Sequence, residues 1–278
     1  MKSDIKVFIS DIKMSKPYIR YYDMAPGVCA FSTTRHGGAS KGNYASFNVH
    51  PFQHDDPQAL ESNRKSLLSE LGIQANHLLM PRQVHGNQLA IIDESYFERT
   101  AEEQVRLIDG VDALVTNLDQ TCVGVSTADC VPVLLYDARC GVIAAVHAGW
   151  RGTCMRIVET VLQTMSHTFS TKPADVKAVI GPCIRQDAYE VGEEVYEAFS
   201  DAHFDMNRVA VKKKDKWHID LAAANLWQMQ LSGVPSGSVY DCGLCTYLHN
   251  ADYFSARRQG IESGRIYTGI MLTNGARQ

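Results

Sequence analysis

Residues 128–152, ADCVPVLLYDARCGVIAAVHAGWRG, constrain the fold more than any other stretch of this chain. They predict two apolar strands, Val131–Tyr136 and Gly141–His147, joined by a tight polar turn at Asp137–Arg139. Cys130 opens the first strand and His147 closes the second. An antiparallel hairpin would set that thiol and that imidazole opposite one another across the ladder. Beyond His147 the chain turns through Ala148-Gly149-Trp150-Arg151-Gly152 into a helix. A buried cysteine is ordinarily a small hydrophobe. A histidine placed directly before a glycine-flanked turn shifts the reading of the pair toward chemistry.

The remaining elements arrange themselves around this hairpin. Residues 1–25 read as an extended lead-in. Val28–Thr33 is a short strand running into Thr34–Ser40, a loop that either offers Arg35 and backbone N–H groups to an anion or is a plain glycine-rich turn. Tyr44–Val49 predicts another strand, ending near Asn48 and His50. Asp56 caps and Pro57 starts a helix in which Leu60, Leu67, Leu68 and Leu71 recur at helical spacing until Gly72. Leu78–Gln83 and Gln88–Ile92 predict strands flanking Val84-His85-Gly86-Asn87, with His85 at a hairpin corner. Glu94–Leu107 reads as a charged surface excursion, and Val111–Thr116 and Thr121–Ser126 as strands leading to Cys130. Helices are expected over Thr153–Thr168, Gly192–Phe199 and Asp220–Leu231, and strands over Val176–Ile180, Val239–Cys242 and Ile266–Leu272. No long repeat and no linker divides the chain. The expected fold class is α/β (α+β): a single domain over residues 26–278, with a mixed sheet or sheet sandwich and helices packed outside it.

Charge and cysteine usage narrow the partners. A formal charge of -4 and a pI near 6.2 give no footprint for nucleic acid. The longest basic run, Lys212–Lys214, reads as a solvated loop or hairpin tip. No window approaches the roughly 18 apolar residues of a membrane span. The opening MKSDIKVFISDIKM lacks the apolar core of a secretory signal. The eight cysteines are scattered, so reduced thiols and a cytoplasmic location are expected.

Several chemistries are absent. The chain carries no P-loop, no G-x-G-x-x-G, no G-x-S-x-G, no H-x-E with P-C-x-x-C, and no H-x-H pair of the kind multi-copper clusters use. Cys242-Gly243-Leu244-Cys245 is a lone C-x-x-C that reads as packing. What remains is His85, Cys130 and His147, all at strand ends or corners. Two imidazoles and one thiolate suit zinc with a fourth position open, and the same donors suit copper.

Six blocks in order carry a resemblance: Thr34-Arg35-His36-Gly37-Gly38, Gln83-Val84-His85-Gly86, Ala128-Asp129-Cys130, His147-Ala148-Gly149-Trp150-Arg151-Gly152, Ile180-Gly181-Pro182-Cys183 and Phe254-Ser255-Ala256-Arg257-Arg258. Together the chain resembles the laccase-domain (YfiH) family over about Pro26 to Leu272. One departure is Ala256, where a larger aromatic residue is expected. The resemblance implies layered mixed sheets similar to a toxin deamidase with a Cys–His pair. It also implies a zinc site at His85, Cys130 and His147. The implied activities are phosphorolysis of adenosine, inosine and methylthioadenosine, adenosine deamination, copper-dependent polyphenol oxidation, and editing of peptidoglycan precursors.

On that footing the substrates are purine nucleosides and phosphate, and the chain is a monomer or homodimer. Arg35 and Arg151 are the candidates to hold phosphate, since a guanidinium fork suits its oxygens. Asn48 either bonds a ribose hydroxyl or caps a turn. Asp129 either shuttles a proton or makes a structural hydrogen bond to backbone. The rivals are a metal-free Cys–His hydrolase or amidase, with Cys130 as nucleophile and His147 as base, and a non-catalytic nucleoside-binding protein.

Overall fold

The computed structural model of the chain describes residues 6–9 and 16–273. Parts of the expected lead-in, at 1–5 and 10–15, and the expected domain's end at 274–278 lie outside the described residues. In chain order the strands are β1 (Lys6–Ile9), β2 (Ile19–Asp23), β3 (Val28–Thr33), β4 (Leu78–Leu79), β5 (Leu89–Ile92), β6 (Ala113–Thr116), β7 (Cys122–Thr127), β8 (Val131–Asp137), β9 (Val142–Ala148), β10 (Val176–Ile180), β11 (Glu190–Val191), β12 (Ala210–Lys213), β13 (Lys216–Ile219), β14 (Val239–Asp241) and β15 (Ile266–Leu272). The helices are α1 (Pro57–Leu71), α2 (Glu94–Glu98), α3 (Ala101–Leu107), α4 (Trp150–Cys154), α5 (Ile157–Phe169), α6 (Glu193–Asp201), α7 (Met206–Val209), α8 (Leu221–Leu231) and α9 (Ala256–Gln259).

Two six-stranded mixed sheets stack face to face, in the orders β1-β2-β3-β15-β7-β4 and β14-β10-β8-β9-β6-β5. Strand alternation explains the layers. On β8, Val131, Val133 and Leu135 point outward to Ile157, Val161 and Met165 of α5 and to Ala222 and Met229 of α8. Leu134 and Tyr136 point inward, to Val123, Val125 and Ile270 of the other sheet. That other sheet buries its far face, with Phe31, Tyr267 and Met271, against Leu67 of α1. Both faces of the β8–β9 hairpin are therefore covered, which is why its two strands read as unbroken apolar runs. A small third sheet, β11-β13-β12, carries Lys212–Lys214 at its exposed tip.

Where local signals are strong, expectation and structure coincide. The Asp56 side chain accepts the Ala59 N–H at 3.0 Å, and Gly72 ends α1 in the left-handed region at φ 67°. Four expectations are corrected. Pro81 offers no N–H to a ladder, so β4 ends at Leu79 and pairs parallel with β7. β5 pairs parallel with β6 in the opposite sheet, so residues 82–88 cross between sheets and His85 is not at a hairpin corner. Tyr44–Val49 is no strand, because the Ser46 and Phe47 N–H groups both bond Arg35 O. The expected helix over Thr153–Thr168 breaks between α4 and α5, where Arg156 takes φ 62° and stacks on Phe204 and Trp227. Glu94–Leu107 folds as α2 and α3, the second opened by a Thr100–Glu103 capping box.

Candidate metal centre

The site forms at one end of the gap between the stacked sheets. Pro132 pairs with His147 and Val131 with Ala148, so Cys130 comes opposite Gly149. The thiol is thus a diagonal neighbour of His147 on the same face, not its direct partner as expected. The register differs because Asp137 still pairs with Val142, leaving Ala138–Gly141 as the turn, with the Arg139 and Cys140 N–H groups bonded to Asp137 Oδ1.

His85 reaches the same point from the crossing segment, in the left-handed region at φ 62°. Its strained backbone is held by Asp112. Asp112 Oδ1 accepts the His85 N–H at 2.9 Å, and Oδ2 accepts those of Gly86 at 2.7 Å and Val84 at 3.3 Å. His147 Nδ1 donates to the same Oδ1 at 2.7 Å, which leaves Nε2 for the cluster. One fully buried carboxylate therefore orients two imidazoles at once.

The donor atoms of His85, Cys130 and His147 lie within 4.8 Å of one another, the one such group among the described residues. His147 is buried, Cys130 half-buried and His85 exposed, so the cluster opens on the His85 side. Gly149 leaves the room: a Cβ there would stand 3.0 Å from His85 Cδ2 and 3.2 Å from Cys130 Sγ. Gly152, in the first turn of α4, packs so tightly that its Cβ would meet Gly86 O at 2.6 Å.

Electrostatics favour a thiolate. Burial pushes the Cys130 thiol up, but His147 and then His85 outweigh it and hold it down at about 6. Burial works against a charged His147, yet Cys130 and Asp112 carry it to about 9. Burial likewise opposes the Asp112 charge, and its bonds from His147 and the backbone N–H groups prevail. The donor set suits a metal: two nitrogens and a thiolate converge, and the second nitrogen of His147 is held by a carboxylate, the usual support of a ligating imidazole.

The other expected site residues lie as follows. Asp129 takes φ 90°, and its oxygens accept Thr246 Oγ1 at 2.7 Å and the Arg257 N–H at 2.6 Å. Arg35 donates from Nε to Ala45 O at 2.8 Å and from Nη1 to Asn250 O at 2.7 Å, above the Phe254 ring. Asn48 donates to Asp55 Oδ2 at 2.9 Å, and its own Oδ1 accepts the N–H groups of His50 and Arg265. Arg151 is exposed and stacks on Trp150 at 4.3 Å. Sequence reasoning passed over Asp112, His50 and Arg265. The one available sign for Asp112 was a charge at the head of a mostly apolar strand, Ala113–Thr116.

A two-sheet α/β protein with a thiolate and two imidazoles at the mouth of the inter-sheet gap is the class that fold and site define. Residues 29–273 match the family model described as multi-copper polyphenol oxidoreductase laccase, and the chain belongs to that family. It is 46% identical over 244 residues to a purine nucleoside phosphorylase of Bacteroides thetaiotaomicron, covering 87% of this chain and 90% of that one. It is 42% identical over 246 residues to adenosine deaminase RL5 of an unknown prokaryotic organism, covering 88% and 94%. Among solved structures, YlmD of Geobacillus stearothermophilus superposes at a TM-score of 0.85 with 28% identity, over 95% of this chain and 98% of that one. The hypothetical protein YfiH of Bacillus licheniformis does so at 0.86 with 25% identity, over 94% and 98%.

Proposed function

We propose that this chain is a metal-dependent purine nucleoside enzyme. It would phosphorolyse adenosine, inosine and methylthioadenosine to free base and (methylthio)ribose 1-phosphate, and deaminate adenosine. The observation that carries this reading is the pairing of one convergent donor cluster with nearly full-length likeness to proteins named for both activities. His85, Cys130 and His147 would hold the ion, zinc in the first instance and copper in the second. When bound, the ion supplies Lewis-acid charge on the open side of the cluster.

The chain's own residues do the rest. Asp112 fixes the His147 tautomer and the His85 backbone. Asp129, bonded on both oxygens, positions the segment before Cys130 and the Arg257 backbone. Arg151 at the open rim is the free guanidinium of the two nominated for phosphate, because Arg35 spends its fork on two carbonyls. Asn48 reaches substrate through the residues it ties down. In phosphorolysis a phosphate oxygen bonds ribose C1′ as the bond from C1′ to the base breaks, and the base leaves with a proton. All eight cysteines are unpaired, and among the described residues no helix is long and apolar enough to cross a membrane, which suits a cytoplasmic enzyme.

A second reading rests on the Cys130–His147 pair, whose thiolate and Asp112-backed imidazole also make a nucleophile and base for a hydrolase or amidase acting on peptidoglycan precursors. Product analysis on metal-quantified protein separates the two. Ribose 1-phosphate and free base that vanish on chelation and return with zinc are expected. Indifference to chelator with irreversible loss on thiol alkylation would replace the first reading with the second.

A further inference from the structure

Arg265 is a half-buried guanidinium with no carboxylate hydrogen-bonded to it. Nη1 donates to Ser263 O at 2.6 Å, Ser263 Oγ at 3.2 Å and Gly264 O at 3.0 Å, and Nη2 donates to Ile261 O at 2.9 Å. Its Nε–H has no acceptor among the described residues. The register places it beside the cluster: Ile266 pairs with Thr127, so Arg265 comes opposite Ala128, just ahead of Cys130. Burial works against its charge, and Cys130 and Asp129 are the first groups to favour it.

His50 is brought to the same place. Asn48 Oδ1 accepts the backbone N–H of His50 at 3.3 Å and that of Arg265 at 3.1 Å, tying the two residues to one atom. His50 is only 8% exposed, and its Nδ1 is buried without a hydrogen-bond partner. The ring lies edge-on to Phe52 at 5.4 Å. Burial, then Arg265 and His147, hold its pKa down at about 3, so the imidazole is neutral and has one N–H to give. A buried imidazole nitrogen lacking a partner is costly alone, and the half-buried Arg265 guanidinium hydrogen-bonds only uncharged oxygens. An oxyanion between them satisfies both.

We propose that Arg265 and His50 form an oxyanion subsite beside the His85–Cys130–His147 cluster, and that it takes inorganic phosphate. The choice of phosphate rests on the phosphorolysis reading above. The subsite binds and orients the anion, and its selectivity comes from a guanidinium and an imidazole on two segments that Asn48 ties together.

Two measurements on the metal-loaded full chain decide the matter. Calorimetric titration with inorganic phosphate is expected to show binding by the wild type that weakens about tenfold or more in Arg265→Gln and in His50→Phe, with partial rescue in His50→Gln. Steady-state phosphorolysis should show the KM for phosphate rising by a similar factor while the KM for inosine moves less than about twofold. Arg265 also staples the carbonyls of residues 261, 263 and 264, so the His50 variants keep the test open if Arg265→Gln unfolds. Wild-type phosphate affinity in the His50 variants, or no phosphate binding by the wild type, overturns the subsite. Phosphate binding lost in the variants, with no ribose 1-phosphate formed by the wild type, supports the subsite and overturns the phosphorolysis reading instead.

Discussion

Two aspartates flank the cluster and hold it in opposite ways. Asp112 stands at the head of β6 and Asp129 just ahead of β8, and both accept backbone N–H groups. Asp112 gathers three N–H groups from the His85 segment and adds the ring of His147. Asp129 turns away from the donors to Thr246 and the Arg257 backbone. The reason is the bend just before β8: Asp129 takes φ 90°, and its side chain is held by Thr246 and the Arg257 N–H. The neighbour that touches a ligand comes from the paired strand. Ala113 pairs with Val146, which sets Asp112 beside His147. Chain adjacency to Cys130 favours Asp129, whereas adjacency in space favours Asp112.

Paired amide substitutions break or sharpen that contrast most strongly. In Asp112→Asn an NH2 group must face N–H donors inside a fully buried pocket, and the partner of His147 Nδ1 is weakened. The variant is expected to lose about 3–5 kcal/mol of stability, and bound metal ten- to a hundredfold, by orders of magnitude typical of broken buried pairs and ligand supports. Asp129→Asn disturbs two bonds remote from the donors and should cost about 1–3 kcal/mol with metal content kept. Thermal unfolding with metal quantification on both variants checks this; equal metal loss from the two would erase the distinction.

A smaller effect is expected at Gly149, which leaves space for the donors rather than orienting them. In Gly149→Ala the new Cβ presses on His85 Cδ2 and Cys130 Sγ. Overpacking of this kind costs about 1–3 kcal/mol, and metal affinity should fall about tenfold while the β8–β9 core stays intact. Competition with a chelator of known affinity measures the shift. Unchanged affinity would show that the donors are looser than the geometry implies.

These contrasts also show what was legible in the chain. The two strands of the hairpin, α1 with its Asp56 cap and Gly72 stop, and β15 over Ile266–Leu272 follow from local pattern and coincide with the structure. The donors His85, Cys130 and His147 could be named because each sits in a distinctive block, and they converge within 4.8 Å. The path of His85 was not legible, since parallel pairing of β4 and β5 into different sheets is a long-range outcome with no local signal. Asp112, His50 and Arg265 were missed for a related reason. Their meaning lies in burial and in missing or shared partners, which exist only once distant segments meet. A polar residue in a short loop looks the same on paper whether it is solvated or enclosed.

Arg151 sits at the opposite extreme from Asp112, and its substitution is expected to have the smallest effect. Its guanidinium is exposed and lies over Trp150, in the first turn of α4. An exposed cation–π contact contributes about 0.5–1 kcal/mol, so Arg151→Ala should lower stability by no more than that and leave metal content alone. If Arg151 meets substrate at the rim, KM for the nucleoside or phosphate rises a few-fold with little change in kcat, because an exposed contact made equally in ground and transition states is uniform binding. A fall in kcat of a hundredfold would instead move Arg151 into the reacting centre. The open side of the cluster would then be narrower in the working enzyme than the exposed His85 implies, and Arg151 would join Asp112 among the groups that the reaction cannot do without.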